Sequence, residues 1–190
     1  HAALGRLIAV KTSSVVIASG GLSTLYFPKT DTMRGNTGDS YAIAARAGAD
    51  LVDMEQVQFL PFCLASPPSY EGLLVGEPVT ASYLGVLRDK NGKVILDGVF
   101  LRTRADCSSA IMRAVEDGRG SPNGGAYLDM TANKRPPRSG PYFMRFVESA
   151  LPSAYKVARQ AMSKAAGNCE EPWEVRPSAH YMMGGIRADE

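Results

Sequence analysis

Short apolar runs bounded by polar turns dominate the pattern along this chain. Residues 7–10 (Leu-Ile-Ala-Val) and 15–18 (Val-Val-Ile-Ala) are two such runs, and Gly20 and Gly21 follow the second. Runs of this length with β-branched members predict strands, so we expect these two to pair, with the second buried on both faces. Mixed polarity over residues 51–62 predicts a further strand.

A hairpin is the strongest local signal in the middle of the chain. Residues 83–88 and 93–100 are apolar runs joined by Asp-Lys-Asn-Gly, and Asn-Gly in this position favours a tight turn. Three shorter apolar stretches predict further strands, at residues 127–130, 173–175 and 179–183.

Helices are predicted where apolar residues recur between capping signals. Thr37 or Asp39 can cap a helix over residues 41–47, and Gly48 behind it suits a left-handed stop. Amphipathic spacing predicts a second helix over residues 106–116. Two more begin with proline, which is favoured at the first helical position: residues 141–151 and 152–166. Strands and helices in this order form an α+β pattern rather than regular βαβ alternation.

Composition narrows the possible functions. A length of 190 residues allows one domain, or one domain with pieces of another. The formal charge of +2 gives no electrostatic case for nucleic acid or anionic lipid, and the basic loop at residues 134–138 has no aromatic platform for RNA. No run approaches the roughly 18 apolar residues of a membrane span, so direct membrane insertion is not expected.

The cysteines and histidines carry no metal or disulfide pattern. Cys63, Cys107 and Cys169 are far apart and odd in number, which favours free thiols in a reducing, cytoplasmic compartment. The histidines are His1 and His180, too few and too distant for a zinc site. Phosphate-loop, serine-hydrolase and H-E-x-x-H motifs are likewise missing from the sequence.

Five segments resemble, in the same order, those of the succinate dehydrogenase and fumarate reductase flavoproteins, a superfamily that includes L-aspartate oxidases. They are residues 16–21, 36–40, 53–59, 117–120 and 180–186. The last, His-Tyr-Met-Met-Gly-Gly-Ile, is similar to the family's His-Tyr-x-x-Gly-Gly-Ile. Because the five cover nearly the whole chain, it is identified as similar to an internal piece of such a flavoprotein.

The resemblance implies the fold and its division. We expect an α+β capping (catalytic) domain over residues 51–175, preceded by the trailing part of the FAD-binding domain (1–50) and followed by a return into it (176–190). The G-x-G-x-x-G fingerprint that holds the ADP half of FAD is missing, since in the family it lies upstream. We therefore expect a fragment that by itself binds FAD weakly or not at all.

The resemblance also implies cofactor and partners. FAD is the family's cofactor, and it would be contacted by Gly20, Gly21 and Asp39, because glycines let backbone approach a cofactor and helix amides suit its oxygens. A simple turn and a plain helix cap are the structural alternatives for these residues. The family further implies a small carboxylate substrate, an iron–sulfur or other electron-transfer partner, and membrane association only through partner subunits.

Catalytic residues are carried over position by position. The family's proton-transferring arginine corresponds to Arg104, with Arg102 as a second candidate because the aspartate expected after this arginine is Ala105 here. An ordinary solvated arginine before a helix is the alternative for Arg104. Glu77 corresponds to the glutamate that relays the proton to that arginine. His180 corresponds to a histidine that donates to a substrate carboxylate.

Three further family positions have changed. The substrate-binding histidine, the threonine before the relay glutamate and the relay's further arginine are Leu60, Gly76 and Thr80 here. A site with fewer donors suits two carboxylates poorly, so we expect hydride transfer with an acid other than fumarate or succinate. A noncatalytic capping-fold module with a binding role is the alternative.

Overall fold

The computed structural model of the protein describes residues 3, 5–135 and 139–189. The strands are β1 (Leu51–Val52), β2 (Val57–Leu64), β3 (Leu74–Gly76), β4 (Val86–Arg88), β5 (Val94–Leu96), β6 (Ala126–Asp129), β7 (Trp173–Met182) and β8 (Gly185–Ile186). The α-helices are α1 (Asp39–Arg46), α2 (Arg104–Glu116), α3 (Gly140–Ala150), α4 (Pro152–Ala161) and α5 (Lys164–Gly167).

Six strands form one antiparallel sheet in the order β3-β2-β7-β6-β4-β5. The long central pair runs from Val57 opposite Met182 to Leu64 opposite Val175, with register shifts between. A separate two-stranded ribbon pairs β1 with β8, so that Leu51 lies opposite Ile186. The mixed helix and antiparallel-sheet content agrees with the predicted α+β pattern.

The core lies where α2 and α4 pack against the large sheet and α3 packs against α4. Its members are fully or almost fully buried apolar side chains: Phe62, Leu64, Leu87, Ile111, Leu128, Val147, Ala158, Trp173 and Val175. Trp173 is 1% exposed, and its indole Nε1 donates to the carbonyl of Ala166, 2.7 Å away. A buried indole that keeps its hydrogen bond ties α5 to the first residue of β7.

Several predicted elements are present with adjusted bounds. The hairpin forms as β4 and β5, and the helix expected at 106–116 begins two residues earlier as α2. The helix expected at 152–166 is interrupted, because Met162 adopts an extended conformation and Ser163 starts α5 by accepting from the amide of Ala166. The two short strands expected at 173–175 and 179–183 are one strand, β7.

The predicted N-terminal strands are wrong. Residues 7–10 and 15–18 form no strand, and Val16, expected to be buried on both faces, is 91% exposed. Strands require a neighbour to satisfy their backbone groups, and no described strand pairs with these runs. Their apolar character therefore has no packing partner among the described residues.

The predicted helix at 41–47 forms as α1, but its cap is different. The N-cap residue is Gly38, with a φ of 83°, and no side chain of the described residues caps the helix. The Thr37 hydroxyl donates instead to Asp39 Oδ2 at 2.8 Å, so neither predicted capping side chain reaches the helix amides. The left-handed stop at Gly48 is confirmed by its φ of 92°.

The family-like segment at 117–120 joins α2 to the hairpin turn. Arg119 bonds to Asp117 at 2.7 Å and to the buried Asp89 at 3.3 Å. Burial raises the pKa of Asp89, but the amides of Lys93 and Asn91 and the Arg119 guanidinium lower it by more, so that pKa lies below its usual value. This segment therefore has a structural role in the chain.

In the basic loop at 134–138, residues 136–138 lie outside the described residues, and the Lys134 ammonium contacts Glu170 at 2.9 Å. Among the described helices, none has the length and apolar character needed to cross a bilayer.

Candidate functional site

Arg104 and Glu77 form a two-point ion pair. The Arg104 Nε donates to Glu77 Oε2 at 3.0 Å, and Nη2 donates to Oε1 at 2.7 Å. The Glu77 side chain is 11% exposed and that of Arg104 is 43% exposed, so the carboxylate lies behind the guanidinium. Nη1 has no partner among the described residues, so the N–H groups on that edge of the guanidinium are available to a ligand.

Local sequence fixes both members of this pair. Arg104 is the first residue of α2, whose start is held by a capping box in which Thr103 and Asp106 bond to each other's backbone amides at 3.1 Å. Glu77 follows β3, and its backbone exchanges two hydrogen bonds with the hydroxyl of Thr80, at 2.8 and 2.9 Å. The hydrogen bond from Arg104 to Glu77 raises the pKa of Arg104, so the guanidinium stays charged.

Arg102, the second candidate, lies two residues away and contacts a different group. Its Nη2 is 3.4 Å from Asp97 Oδ1, and its Nε donates to the Asp97 carbonyl at 3.3 Å. Asp97 is largely exposed, at 80% of its side chain. The structure thus pairs Glu77 with Arg104 and not with Arg102.

His180 lies on β7 and is held by a partly buried acid that the sequence did not point to. Its Nδ1 is 2.9 and 3.0 Å from the two carboxylate oxygens of Asp31, which is 11% exposed. An Nδ1–H donated to Asp31 fixes the ring and leaves Nε2 for another partner. Asp31 is 149 residues from His180 along the chain, so no local pattern could have paired them.

Backbone contacts dock the segment around Asp31 onto β7. The Thr30 hydroxyl donates to the Ala179 carbonyl at 2.7 Å, and the Ala179 amide donates to the Lys29 carbonyl at 2.9 Å. The Ser23 hydroxyl donates to the carbonyl of His180 at 2.9 Å. His180 is thus fixed through its side chain and its backbone.

Gly20, Gly21 and Asp39 lie together at the start of α1. The amide of Gly38 donates to the Gly21 carbonyl at 2.9 Å, and the Ser40 hydroxyl donates to the Gly20 carbonyl at 2.7 Å. Gly20 has a φ of 84°, a left-handed conformation that side chains rarely adopt. The two glycines and the first turn of the helix therefore form one turn.

The glycine pair in the final motif lies next to the same helix. A Cβ on Gly184 would fall 2.1 Å from the Asp53 carbonyl oxygen, so only glycine fits there. A Cβ on Gly185 would lie 3.7 Å from the Tyr41 ring in α1. Two glycine turns and a helix N-terminus meet here, an arrangement suited to close approach of a cofactor with anionic or carbonyl oxygens.

The three altered positions have structural roles in this chain. Leu60 is 1% exposed, and Thr80 is 3% exposed and bonded to Glu77. A Cβ on Gly76 would lie 3.1 Å from the Thr80 hydroxyl oxygen. None of the three offers a charged donor, which leaves Arg104 and His180 as the cationic or imidazole groups among the predicted site residues.

A cavity of about 660 Å³ opens beside Arg104. It lies between α2, β2, β7 and the segment that docks on β7. Its walls are formed by Tyr26, Lys29, Val57, Gln58, Phe59, Arg104, Ala105, Ser108, Ser109, Met112, Arg176 and Pro177. The volume is that of a typical small-molecule site.

Comparison with known proteins gives consistent results. Residues 3–190 match the sequence family described as "FAD binding domain". One subunit of the fumarate reductase (CoM/CoB) of Methanothermobacter marburgensis is 37% identical over 187 residues, which are 96% of this chain and 32% of that protein. L-aspartate oxidase of Agrobacterium fabrum is 36% identical over 180 residues, 93% of this chain and 31% of that protein.

Among solved structures, the Mycobacterium smegmatis Sdh1 complex in the apo form is similar, with a TM-score of 0.65 and 36% identity. The match covers 90% of this chain and 26% of that one. The chain thus spans about a third of the length of the curated relatives it matches.

Proposed function

Because this chain belongs to the FAD-binding-domain family, we propose that it is part of an FAD-dependent oxidoreductase that acts on a carboxylate-bearing substrate. FAD is the cofactor of the family, and it supplies hydride transfer when bound. The single observation that carries the proposal is the two-point Arg104–Glu77 pair on the rim of the cavity.

The proposed division places residues 51–175 in a substrate-covering domain and residues 1–50 and 176–190 in the FAD-binding domain. The β1–β8 ribbon supports a boundary near residue 51, because it brings residues 51 and 186 together, whereas residues 176–182 continue β7 in the large sheet. The one-third share of the curated relatives' length supports a longer flavoprotein around this piece. Gly20, Gly21 and Asp39 are proposed to contact FAD from the turn at the start of α1.

Arg104 is proposed to exchange the substrate proton. Its Nη1 faces away from Glu77 and can give a proton to the carbon next to the one that receives hydride, or take it in the reverse direction. Glu77 Oε1 and Oε2 touch the same guanidinium, so a proton can return to Arg104 through this carboxyl group. Glu77 raises the pKa of Arg104, so its contribution is to return the proton to the guanidinium and not to make the guanidinium more acidic.

His180 is proposed to bind a substrate carboxylate through Nε2, with Asp31 holding the ring. The buried Leu60, Gly76 and Thr80 supply no cation, which supports an acid other than fumarate or succinate. The pairing of Arg104 with Glu77 favours this catalytic function over a noncatalytic binding module. An electron-transfer partner with an iron–sulfur centre is proposed as the route for the electrons.

The test uses the full-length FAD-loaded protein that contains this chain. We expect at least one saturated carboxylic acid to bleach the oxidised flavin's visible absorbance anaerobically, or one 2-enoic acid to restore it from the reduced flavin. Succinate and fumarate serve as reference acids and are expected to react more slowly than a less polar acid. Unchanged flavin spectra across such a panel would rule out the proposed activity.

Changing Asp31 to asparagine is expected to raise the substrate KM about tenfold, since an amide holds the imidazole less firmly and supplies no negative charge. The value of kcat should fall less, because Arg104 and Glu77 remain. Steady-state kinetics across pH measure both, with Asp50→Asn as a control at an exposed acid. Equal kinetics for Asp31→Asn and the parent protein would contradict the role of His180.

A further inference from the structure

Thr80 holds the backbone of Glu77 through three hydrogen bonds. Its hydroxyl accepts from the Glu77 amide at 2.9 Å and donates to the Glu77 carbonyl at 2.8 Å. Its own amide donates to the same carbonyl at 2.9 Å. Both residues are buried, so water cannot readily replace the hydroxyl as the partner of the Glu77 amide. The conformation of Glu77 therefore depends on the side chain of Thr80.

The chain on either side of Glu77 restricts how this residue can adjust. Strand β3 ends at Gly76, and Pro78 begins a short 3₁₀ turn over Pro78–Ala81. Proline fixes its own φ and disfavours helical backbone in the residue before it, which agrees with the extended Glu77, at φ −127° and ψ 162°. Without the Thr80 hydroxyl, the buried amide of Glu77 would lose its partner, and the residue would have to move to find another.

Gly76 provides the space beside the Thr80 hydroxyl. A Cβ on Gly76 would lie 3.1 Å from that hydroxyl oxygen, and 3.9 Å from the nearest atoms of Phe62 and Trp173. The first distance is tighter than ordinary van der Waals contact, whereas the other two are ordinary. The hydroxyl is thus the group that a side chain at position 76 would displace. The changes at positions 76 and 80 are therefore coupled, since the hydroxyl fits beside glycine and is crowded by any larger residue.

The placement of the Glu77 backbone decides where its carboxylate lies. The two carboxylate oxygens accept from Arg104 at 3.0 and 2.7 Å. A two-point pair of this kind depends on the alignment of two donors with two acceptors. A displacement of about 1 Å in a catalytic group can lower a rate about 10²-fold, so a small shift of Glu77 would impair the return of a proton to Arg104.

We propose that Thr80 is a positioning residue for the return of the proton to Arg104, and that Gly76 is required for this role. The inference rests on the proposed function, because it takes Glu77 as the group that returns the proton. It gives two of the three altered positions a part in the reaction. In the flavoproteins that the chain resembles, these positions are a threonine and an arginine, whereas here a neutral hydroxyl holds Glu77 in place.

The test uses the full-length FAD-loaded protein, with fumarate and (E)-but-2-enoate as oxidants of the reduced flavin. Stopped-flow absorbance gives the limiting rate and the acid concentration at half this rate. Thr80→Val should lower the limiting rate about tenfold for each acid and keep the half-saturating concentration within about twofold, because Thr80 acts on the acid only through Glu77. Thr80→Ser should keep the parent rate, since serine retains the hydroxyl. Thr131→Val is the matched control, because the Thr131 hydroxyl bonds to Asp129.

Combined variants separate positioning from a general structural role. In the Glu77→Gln background, Thr80→Val should cause no further loss of rate, because Thr80 acts through the Glu77 carboxylate. Gly76→Ala should slow the parent protein but not the Thr80→Ala variant, in which the hydroxyl is already absent. An equal loss of rate from Thr80→Val in the parent and Glu77→Gln backgrounds would overturn the inference.

Hydrogen exchange supplies a readout that is independent of the reaction. The peptide that contains Glu77 should exchange faster in Thr80→Val than in the parent protein or Thr80→Ser, because the Glu77 amide loses its acceptor. Thr80→Val at the parent rate, with Glu77→Gln slow, overturns the inference and leaves the proposed function standing. If neither acid reoxidises the flavin of the parent protein, the proposed reaction with these acids fails, and faster exchange in Thr80→Val then assigns Thr80 a structural role alone.

Discussion

Arg104→Gln is expected to slow flavin reduction or reoxidation by the acid substrate about 10²- to 10⁴-fold, the usual contribution of a positioned proton-transfer group. Glutamine keeps a polar side chain that can reach Glu77, so the fold around the pair should survive. It has no proton to exchange at the position of Nη1. Stopped-flow absorbance of the flavin measures the rate, and the bound FAD content should equal that of the parent protein.

Arg102→Gln is the matched control for this experiment. It removes an arginine only two residues away, whose partner is the exposed Asp97. We expect its rate to lie within about twofold of the parent, because surface ion pairs contribute little. If Arg102→Gln reacts slowly and Arg104→Gln reacts at the parent rate, Arg102 is the proton-transferring residue. If both variants react at the parent rate, neither arginine transfers the proton.

Trp173→Ala is expected to lower the free energy of unfolding by about 3–5 kcal/mol, the typical cost of truncating a buried aromatic side chain. The indole is 1% exposed, and its removal also leaves the Ala166 carbonyl without its donor. Urea unfolding of the parent protein and the variant, followed by circular dichroism, gives the difference.

Leu101→Ala provides the comparison for Trp173→Ala. Leu101 is 79% exposed, so its truncation should change the free energy of unfolding by no more than about 0.5 kcal/mol. Similar values for the two variants would mean that Trp173 does not belong to the core described above.

The sequence predicted most accurately the elements whose signals lie in residues adjacent along the chain. The Asn-Gly hairpin and helix α2 formed because their turn and capping signals are local, and the family resemblance from five segments is confirmed by the comparisons. The runs at 7–10 and 15–18 failed for the opposite reason. Apolar character favours a strand only if a partner strand is present, and periodicity cannot show one.

The candidate site could be predicted only in part. Arg104 and Glu77 were named from matched positions, and the structure joins them across 27 residues of chain. Asp31 was not singled out, because its significance depends on docking against β7 and His180, 149 residues later. Its role, like those of Gly20, Gly21, Asp39 and His180, stays a prediction until variants are measured.

The β1–β8 ribbon has a consequence for how such a protein can arise. Leu51 lies opposite Ile186, so on the proposed division the chain would leave and re-enter the FAD-binding domain at nearly one point. A unit with adjacent ends can be inserted into a surface loop of another domain without displacing the host's secondary structure.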